Sequence, residues 1–109
     1  MEFEVEIEKG KNCKVVMEAL NFGQRNDALR KATTVNLMTK QASVDTIAFG
    51  EWRLVYTIKS MDMVGWKNAG TNEDLKIKFI RGLSLKVGDK LSVQEQNLNL
   101  GVSEDDKKK

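Results

Sequence analysis

Residues 2–8 alternate strictly between glutamate and apolar side chains, and this pattern constrains the fold more than any other sequence feature. Phe3, Val5 and Ile7 lie on one face of such a strand, and the glutamates form a solvated face that protects a sheet edge or pairs with lysines. A turn signal follows at residues 9–12. The apolar alternation then resumes with Cys13, Val15 and Met17. We therefore predict an N-terminal β-hairpin.

The segment after this hairpin has the start signal of a helix. Asn21 and Gln24 have the spacing of a capping box, which predicts a short surface helix over residues 24–32. Residues 33–43 fit a strand or an extended link, because their valine and threonines favour extended backbone.

The strongest helical period spans residues 44–62. Asp45 is a candidate cap for its start. Gly50 costs this helix about 1 kcal/mol relative to alanine, a cost that a start at Phe49 would remove. The apolar residues of the predicted inward face are Ile47, Leu54, Val55, Ile58 and Met61.

Two further helices are predicted in the C-terminal part. Residues 63–70 are predicted to form a loop, Thr71 is the predicted cap of the next helix, and Ser84 is the predicted start of the last one. Gly88 weakens the first turn of this last helix. The predicted apolar positions are Leu75, Phe79, Ile80 and Leu83, then Val87, Leu91 and Leu98, with Gln94, Glu95 and Gln96 on the solvated side of the last helix.

These elements predict an α+β fold in which an N-terminal β-hairpin is followed by three to four short helices. A chain of 109 residues is long enough for one small domain. We predict a single globular domain over residues 1–102 and a disordered charged tail over residues 103–109, which has no apolar residue.

Composition argues against several classes of function. The chain has no histidine and one cysteine, so it lacks a histidine base for Cys13, a histidine metal site and an internal disulfide. Gly65 and Gly70 have the separation of phosphate-loop glycines, but Thr71 stands where the loop needs lysine. We expect no catalytic residues, no metal and no cofactor. The acidic N-terminus and the short apolar runs favour a cytoplasmic protein without a membrane span.

Aromatic residues are the candidate contacts for a protein partner, because Trp and Tyr concentrate in interface hot spots. The candidates are Trp52, Tyr56, Trp66 and Phe79. Core packing is the competing interpretation, and it is stronger for Trp52 than for Trp66, which falls in the predicted loop. A basic stripe over residues 76–90 is interrupted by acids, which is more typical of a mixed solvated face than of a nucleic-acid interface.

Three stretches resemble the tail assembly chaperones of long-tailed bacteriophages. They are the strand-to-helix entry at residues 14–32, the helix FGEWRLVYTIKSM at 49–61 with its tryptophan-bearing linker, and residues 71–99, which end in Leu98-Asn99. The resemblance implies a non-catalytic protein that binds the tape-measure or tail-tube protein in the host cytoplasm until the tube polymerises. A small helical domain can do this with an apolar groove rimmed by charge.

Two alternatives belong to other classes of function. One is a structural virion component, such as a head-tail connector or a tail-tube-associated protein, which needs a self-complementary surface. The other is a small nucleic-acid-binding regulator, whose binding weakens steeply with salt. The resemblance to tail assembly chaperones also implies a longer product made by ribosomal frameshifting, as the family often has. Lys107, Lys108 and Lys109 would be encoded by A-rich codons that could slip.

Overall fold

The N-terminal hairpin is the centre of a three-stranded antiparallel sheet. In the computed structural model, which describes residues 1–99, strands β1 (Glu2–Glu8) and β2 (Lys11–Met17) pair with Val5 opposite Cys13. Gly10 occupies the turn at φ +77°, a conformation that costs glycine little. Strand β5 (Ile58–Met61) pairs with the other edge of β2, which gives the order β1-β2-β5.

The predicted faces of the hairpin are confirmed. One face buries Val5, Cys13, Val15 and Met17 in the main hydrophobic core. On the exposed edge strand, Glu2 pairs with Lys14 across the hairpin at 3.0 Å and Glu6 with Lys86 at 3.1 Å. Two of the four glutamates thus pair with lysines, and the charges mark the edge as solvated.

Helices cover the buried face of the sheet. Their bounds are α1 (Phe22–Ala32), α2 (Thr46–Thr57), α3 (Val64–Ala69), α4 (Glu73–Arg81) and α5 (Leu85–Asn99). Helix α2 contacts α1, α4 and α5, so it is the helix around which the others are arranged. The α+β class with an N-terminal hairpin is confirmed. The predicted domain limit at residue 102 and the predicted tail at 103–109 lie outside the described residues.

Side-chain caps define the starts of three helices. Asn21 and Gln24 form the predicted capping box, each accepting the other's backbone N–H. Asp45 accepts the N–H groups of Ile47 and Ala48 at 3.0 Å, as predicted. The cap of α4 is Asn72, which accepts the N–H of Leu75, and the prediction of Thr71 was wrong by one residue.

The prediction of a helix over residues 44–62 extends too far at its C-terminal end. Helix α2 ends at Thr57, and Ile58 and Met61 are buried in strand β5. Their backbone groups complete the open edge of β2, so sheet pairing outweighs helical periodicity here. Ile47 was also predicted on the inward face, but it is 76% exposed.

The loop predicted over residues 63–70 contains a short helix, α3. Trp66 lies on it and is buried in the core. The tryptophan buries a large apolar area, which outweighs the turn tendency of the neighbouring glycines and asparagine. In α4, Ile77 and the predicted Ile80 are buried, whereas the predicted Leu75 is exposed.

The ambiguous segment over residues 33–43 forms a second hairpin that the sequence did not predict as such. Strands β3 (Thr33–Asn36) and β4 (Gln41–Val44) make a separate two-stranded ribbon between α1 and α2. Every residue from Thr34 to Val44 is exposed. We call this ribbon, Thr33 to Val44 with its turn, the arm.

Candidate protein-binding site

Two of the predicted partner-binding residues, Trp52 and Tyr56, form a pair on α2. Their ring centroids lie 6.0 Å apart. Trp52 is buried, and Lys31 lies over its ring at 5.1 Å. Tyr56 is half-buried and donates its hydroxyl to Glu73 at 2.9 Å. Burial, followed by this hydrogen bond, raises the pKa of Tyr56 above its usual range.

The other two predicted residues, Trp66 and Phe79, join α3 to α4. Their rings meet edge to face with centroids 6.1 Å apart, and Lys76 lies over Trp66 at 4.9 Å. Phe79 is half-buried. The structure therefore brings the four aromatic residues together as two pairs, each with a buried indole in the core. Their binding of a partner stays a prediction, and the half-buried rings of Tyr56 and Phe79 are the parts that a partner could contact.

A buried polar network connects α2 to α5. Glu95 was predicted on the solvated side of α5, but it is 1% exposed and accepts two hydrogen bonds from Arg53, at 3.1 and 3.2 Å. Asn99 donates to Glu95 and to the hydroxyl of Thr57, and its carbonyl oxygen accepts the N–H of Leu20. Each charge has its partner, so we assign this network to holding the helices together.

A cavity of about 280 Å³ lies beside this network, lined in part by Arg25, Phe49 and Arg53. The Arg53 guanidinium lies 4.6 Å from the centre of the Phe49 ring and is already committed to Glu95. Arg53 and Asn99 of its wall are both engaged in the buried network, and we do not assign the cavity a ligand.

A concave groove lies between α2 and the region from α4 to α5. It has a volume of about 450 Å³, within the ~300–1,000 Å³ typical of binding clefts. Its apolar lining consists of Ile47, Leu54, Ile80, Leu83 and Leu85. Ile47 and Leu85 are 76% and 79% exposed, so their side chains contribute apolar surface that the fold leaves uncovered. We call this surface the groove.

Two glycines within helices, Gly50 on α2 and Gly88 in the first turn of α5, also line the groove. A Cβ added to Gly88 would meet no atom within 4 Å, and one added to Gly50 would meet only the end of Arg53, at 3.8 Å. By contrast, a Cβ on Gly65 would lie 2.5 Å from the Phe79 ring. Packing thus requires a glycine at Gly65 but leaves open space at the two groove positions.

The rim of the groove is charged. Arg81 donates to Glu51 at 3.1 Å, which closes one wall with an ion pair. Asp89 also lines the groove, and it makes no ion pair among residues 1–99. An apolar floor with a charged rim suits an apolar segment that carries few charges of its own.

The arm is the second uncovered apolar surface. The register places Val35 opposite Ala42 and Thr33 opposite Val44, so these residues share one face of the ribbon. The turn adds Leu37 and Met38, which are 86% and 93% exposed. Asn36 holds the turn in shape, because its side-chain oxygen accepts the N–H groups of Met38 and Thr39.

The sequence signals for these surfaces were partly visible. Gly50 and Gly88 stand out in the sequence as costly residues inside helices, but their shared location requires the tertiary structure. In the predicted basic stripe, Arg81 and Lys86 pair with acids and Lys76 lies over Trp66. Three cations of the stripe are therefore engaged in contacts within the protein.

The described residues contain few groups suited to other chemistry. Among residues 1–99, no cluster of three or more His, Cys, Asp or Glu side chains is placed to hold a metal ion. Cys13 is buried, and burial raises the pKa of its thiol. No helix within residues 1–99 has the length and hydrophobicity to cross a bilayer.

Comparison of the chain with protein-family models, curated proteins and solved structures finds no match. The function is therefore inferred from the groove, the arm and the sequence resemblance.

Proposed function

We propose that this protein is a non-catalytic tail assembly chaperone that binds the tape-measure or tail-tube protein in the host cytoplasm. The observation that supports it is the groove between α2 and α5, where the apolar side chains of Ile47 and Leu85 are left uncovered. The sequence resemblance implies a client of this kind, and the groove has the apolar floor and charged rim that such a client needs.

The physical argument concerns the client's exposed apolar surface. A long helical tape-measure protein presents apolar stripes before assembly, and such stripes aggregate unless they are covered. A helix that docks in the groove buries its stripe against the exposed side chains of Ile47 and Leu85, while Glu51 and Asp89 remain at the rim. The open space at Gly50 and Gly88 lets the client approach both helices closely.

Coexpression with the tape-measure and tail-tube proteins encoded nearby, followed by pull-down, tests this proposal. We expect one of the two to copurify with the wild-type chain. Leu85→Asp places a charge in the groove and is expected to weaken capture at least about tenfold, as for a hot-spot residue. Val64→Asp is the matched control, because Val64 is 73% exposed but does not line the groove.

Two outcomes contradict the proposal. If neither protein copurifies with the wild-type chain, the proposed clients are wrong. If Leu85→Asp and Val64→Asp capture a client equally well, the groove is not the binding site.

A second candidate, a structural virion component, is favoured by one observation. The arm projects an exposed apolar ribbon of the kind that can link neighbouring subunits. Mass spectrometry of purified phage particles separates the two candidates. A structural component is present in fixed stoichiometry in finished particles, whereas a chaperone has left them.

A further inference from the structure

We propose that the arm of one copy of this protein docks into the groove of a second copy. The contact uses the groove assigned above to a client, so it rests on that part of the proposed function, but it does not depend on who the client is. The arm is then a second occupant of the groove, and we expect the client and the arm to compete for it.

The arm is unlike the rest of the chain in its charge. Residues 33–44 contain a single charged side chain, Lys40, although 31% of the whole chain is charged. Natural sheet edges are normally protected by charged residues or proline, and apart from Lys40 this ribbon has neither. Its apolar face and its Leu37–Met38 turn are therefore suited to contact with another apolar surface.

The groove complements the arm in both hydrophobicity and charge. Ile47 and Leu85 offer apolar walls to the turn residues of the arm. Glu51 is neutralised by Arg81, which leaves Asp89 as the acid at the groove without an ion pair among residues 1–99. This acid of the groove thus corresponds to the one cation of the arm, Lys40.

The two groove glycines provide an independent reason to expect a close neighbour. Glycine is the least favourable residue after proline inside a helix. A Cβ at Gly88 would face open space, and one at Gly50 would make only an ordinary van der Waals contact with the end of Arg53, at 3.8 Å. Packing within the monomer therefore gives neither position a steric reason to be glycine. Their absence of side chains leaves room for the backbone of a ribbon to lie between α2 and α5.

The arm and the groove are different patches of one chain, so the contact is head-to-tail. Each copy that donates its arm keeps a free groove, and each copy that accepts an arm keeps its own arm free. Such a contact propagates into a ring when the rotation between copies closes, or into an open chain when it does not.

Sedimentation velocity of the purified full-length protein over a wide concentration range tests the inference. We expect the wild type to associate with rising concentration. Leu37→Ser/Met38→Ser in the arm and Gly88→Leu in the groove are each expected to weaken association at least tenfold. Val64→Ser, an exposed apolar residue outside both surfaces, is the control and should associate like the wild type.

Mixing the two variants gives the sharpest result. The arm variant retains a working groove and the groove variant retains a working arm, so the mixture should form a one-to-one dimer that grows no further. Circular dichroism checks that Gly88→Leu folds, and Leu85→Asp serves as a second groove variant. A charge exchange adds an orthogonal test: Lys40→Glu and Asp89→Lys each weaken association, and the double variant restores it.

Several results would overturn the inference. They are a wild type that stays monomeric at every concentration, an arm variant that fails while both groove variants associate normally, and a mixture without the dimer. A monomeric wild type excludes any self-contact. Failure of the arm variant alone excludes a contact between arm and groove, and a mixture without the dimer excludes complementary surfaces on the two variants. Client capture is measured separately by pull-down, so a failure of self-association leaves the chaperone proposal standing, and the reverse also holds.

Discussion

The two hairpins of this protein share a motif but differ in what surrounds them. The hairpin of β1 and β2 buries one face in the core and gains a third strand, β5. The arm has shorter strands, gains no third strand among residues 1–99, and has no buried residue from Thr34 to Val44. An isolated two-stranded hairpin is marginally stable in water. The stability of the arm therefore depends on the helices that anchor it, α1 and α2, and on any surface that it contacts.

The same local structure can therefore serve stability or recognition. Burial makes the N-terminal hairpin part of the stable body, and uncovered apolar surface makes the arm a candidate contact. Both roles depend on the environment of the strands.

The largest expected difference concerns thiol accessibility. Cys13 is the only cysteine and is buried in β2, with its pKa raised by burial. In Cys13→Ala/Met38→Cys, the only thiol lies in the arm's exposed turn. We expect a thiol reagent to label this variant at least about 1,000-fold faster than the wild type, because Cys13 reacts only after the body opens. Equal rates in native buffer would contradict the comparison.

The next largest effect is expected from the buried charge pair of the body. Glu95→Gln leaves Arg53 without its counter-charge in a buried site, and we expect the free energy of unfolding to fall by about 3–5 kcal/mol. Lys40→Gln removes one charge from the exposed arm and should stay within about 0.5 kcal/mol of the wild type. Urea denaturation measures both values. A small effect of Glu95→Gln would show that the network is not a stabilising contact.

A matched pair of methionines compares the two hairpins directly. Met17 is fully buried in β2, and Met17→Ala is expected to cost about 2–5 kcal/mol of unfolding free energy through lost burial and a new cavity. Met38→Ala in the arm's turn should change stability by less than about 0.5 kcal/mol. Thermal and urea unfolding provide the measurement. If the two costs are similar, the arm is packed against the body in solution.

The smallest effect is a pH dependence confined to alkaline solution. Tyr56 is the only tyrosine, and its pKa is raised by burial and by its hydrogen bond to Glu73, whereas an unfolded tyrosine titrates near pH ~10. Above that pH the folded protein binds more protons than the unfolded chain, so stability falls as pH rises. Tyr56→Phe should remove this part of the dependence. Tyrosinate absorbance reports the titration, and an unshifted midpoint would contradict the burial of the ring.

The sequence predicted elements whose patterns are local. The alternation around Val5, the capping box at Asn21 and the cap at Asp45 were confirmed, because each depends on residues within a few positions of one another. The α+β class followed from these elements. The end of α2 could not be predicted, since Ile58 continues the helical period and becomes a strand residue only when the distant edge of β2 is available.

Residues that distant contacts bring into the core were a second source of error. Glu95 is solvated by every local criterion, and its burial requires Arg53, 42 positions earlier in the chain. Trp66 was expected in a loop because glycines flank it, but it packs against Phe79 on α4. Both errors arise because a tertiary contact can outweigh a local preference.

The amino-acid sequence by itself determined which segments alternate, where two helices are capped and which reactive side chains the chain lacks. Tertiary structure alone decided that Gly50 and Gly88 meet in one groove and that Ile47, Leu37 and Met38 stay uncovered. The physical reason is that hydrogen-bonding patterns and side-chain periodicity act over a few residues. Burial, in contrast, depends on which distant segments come together, and the uncovered surface is what remains after they have done so.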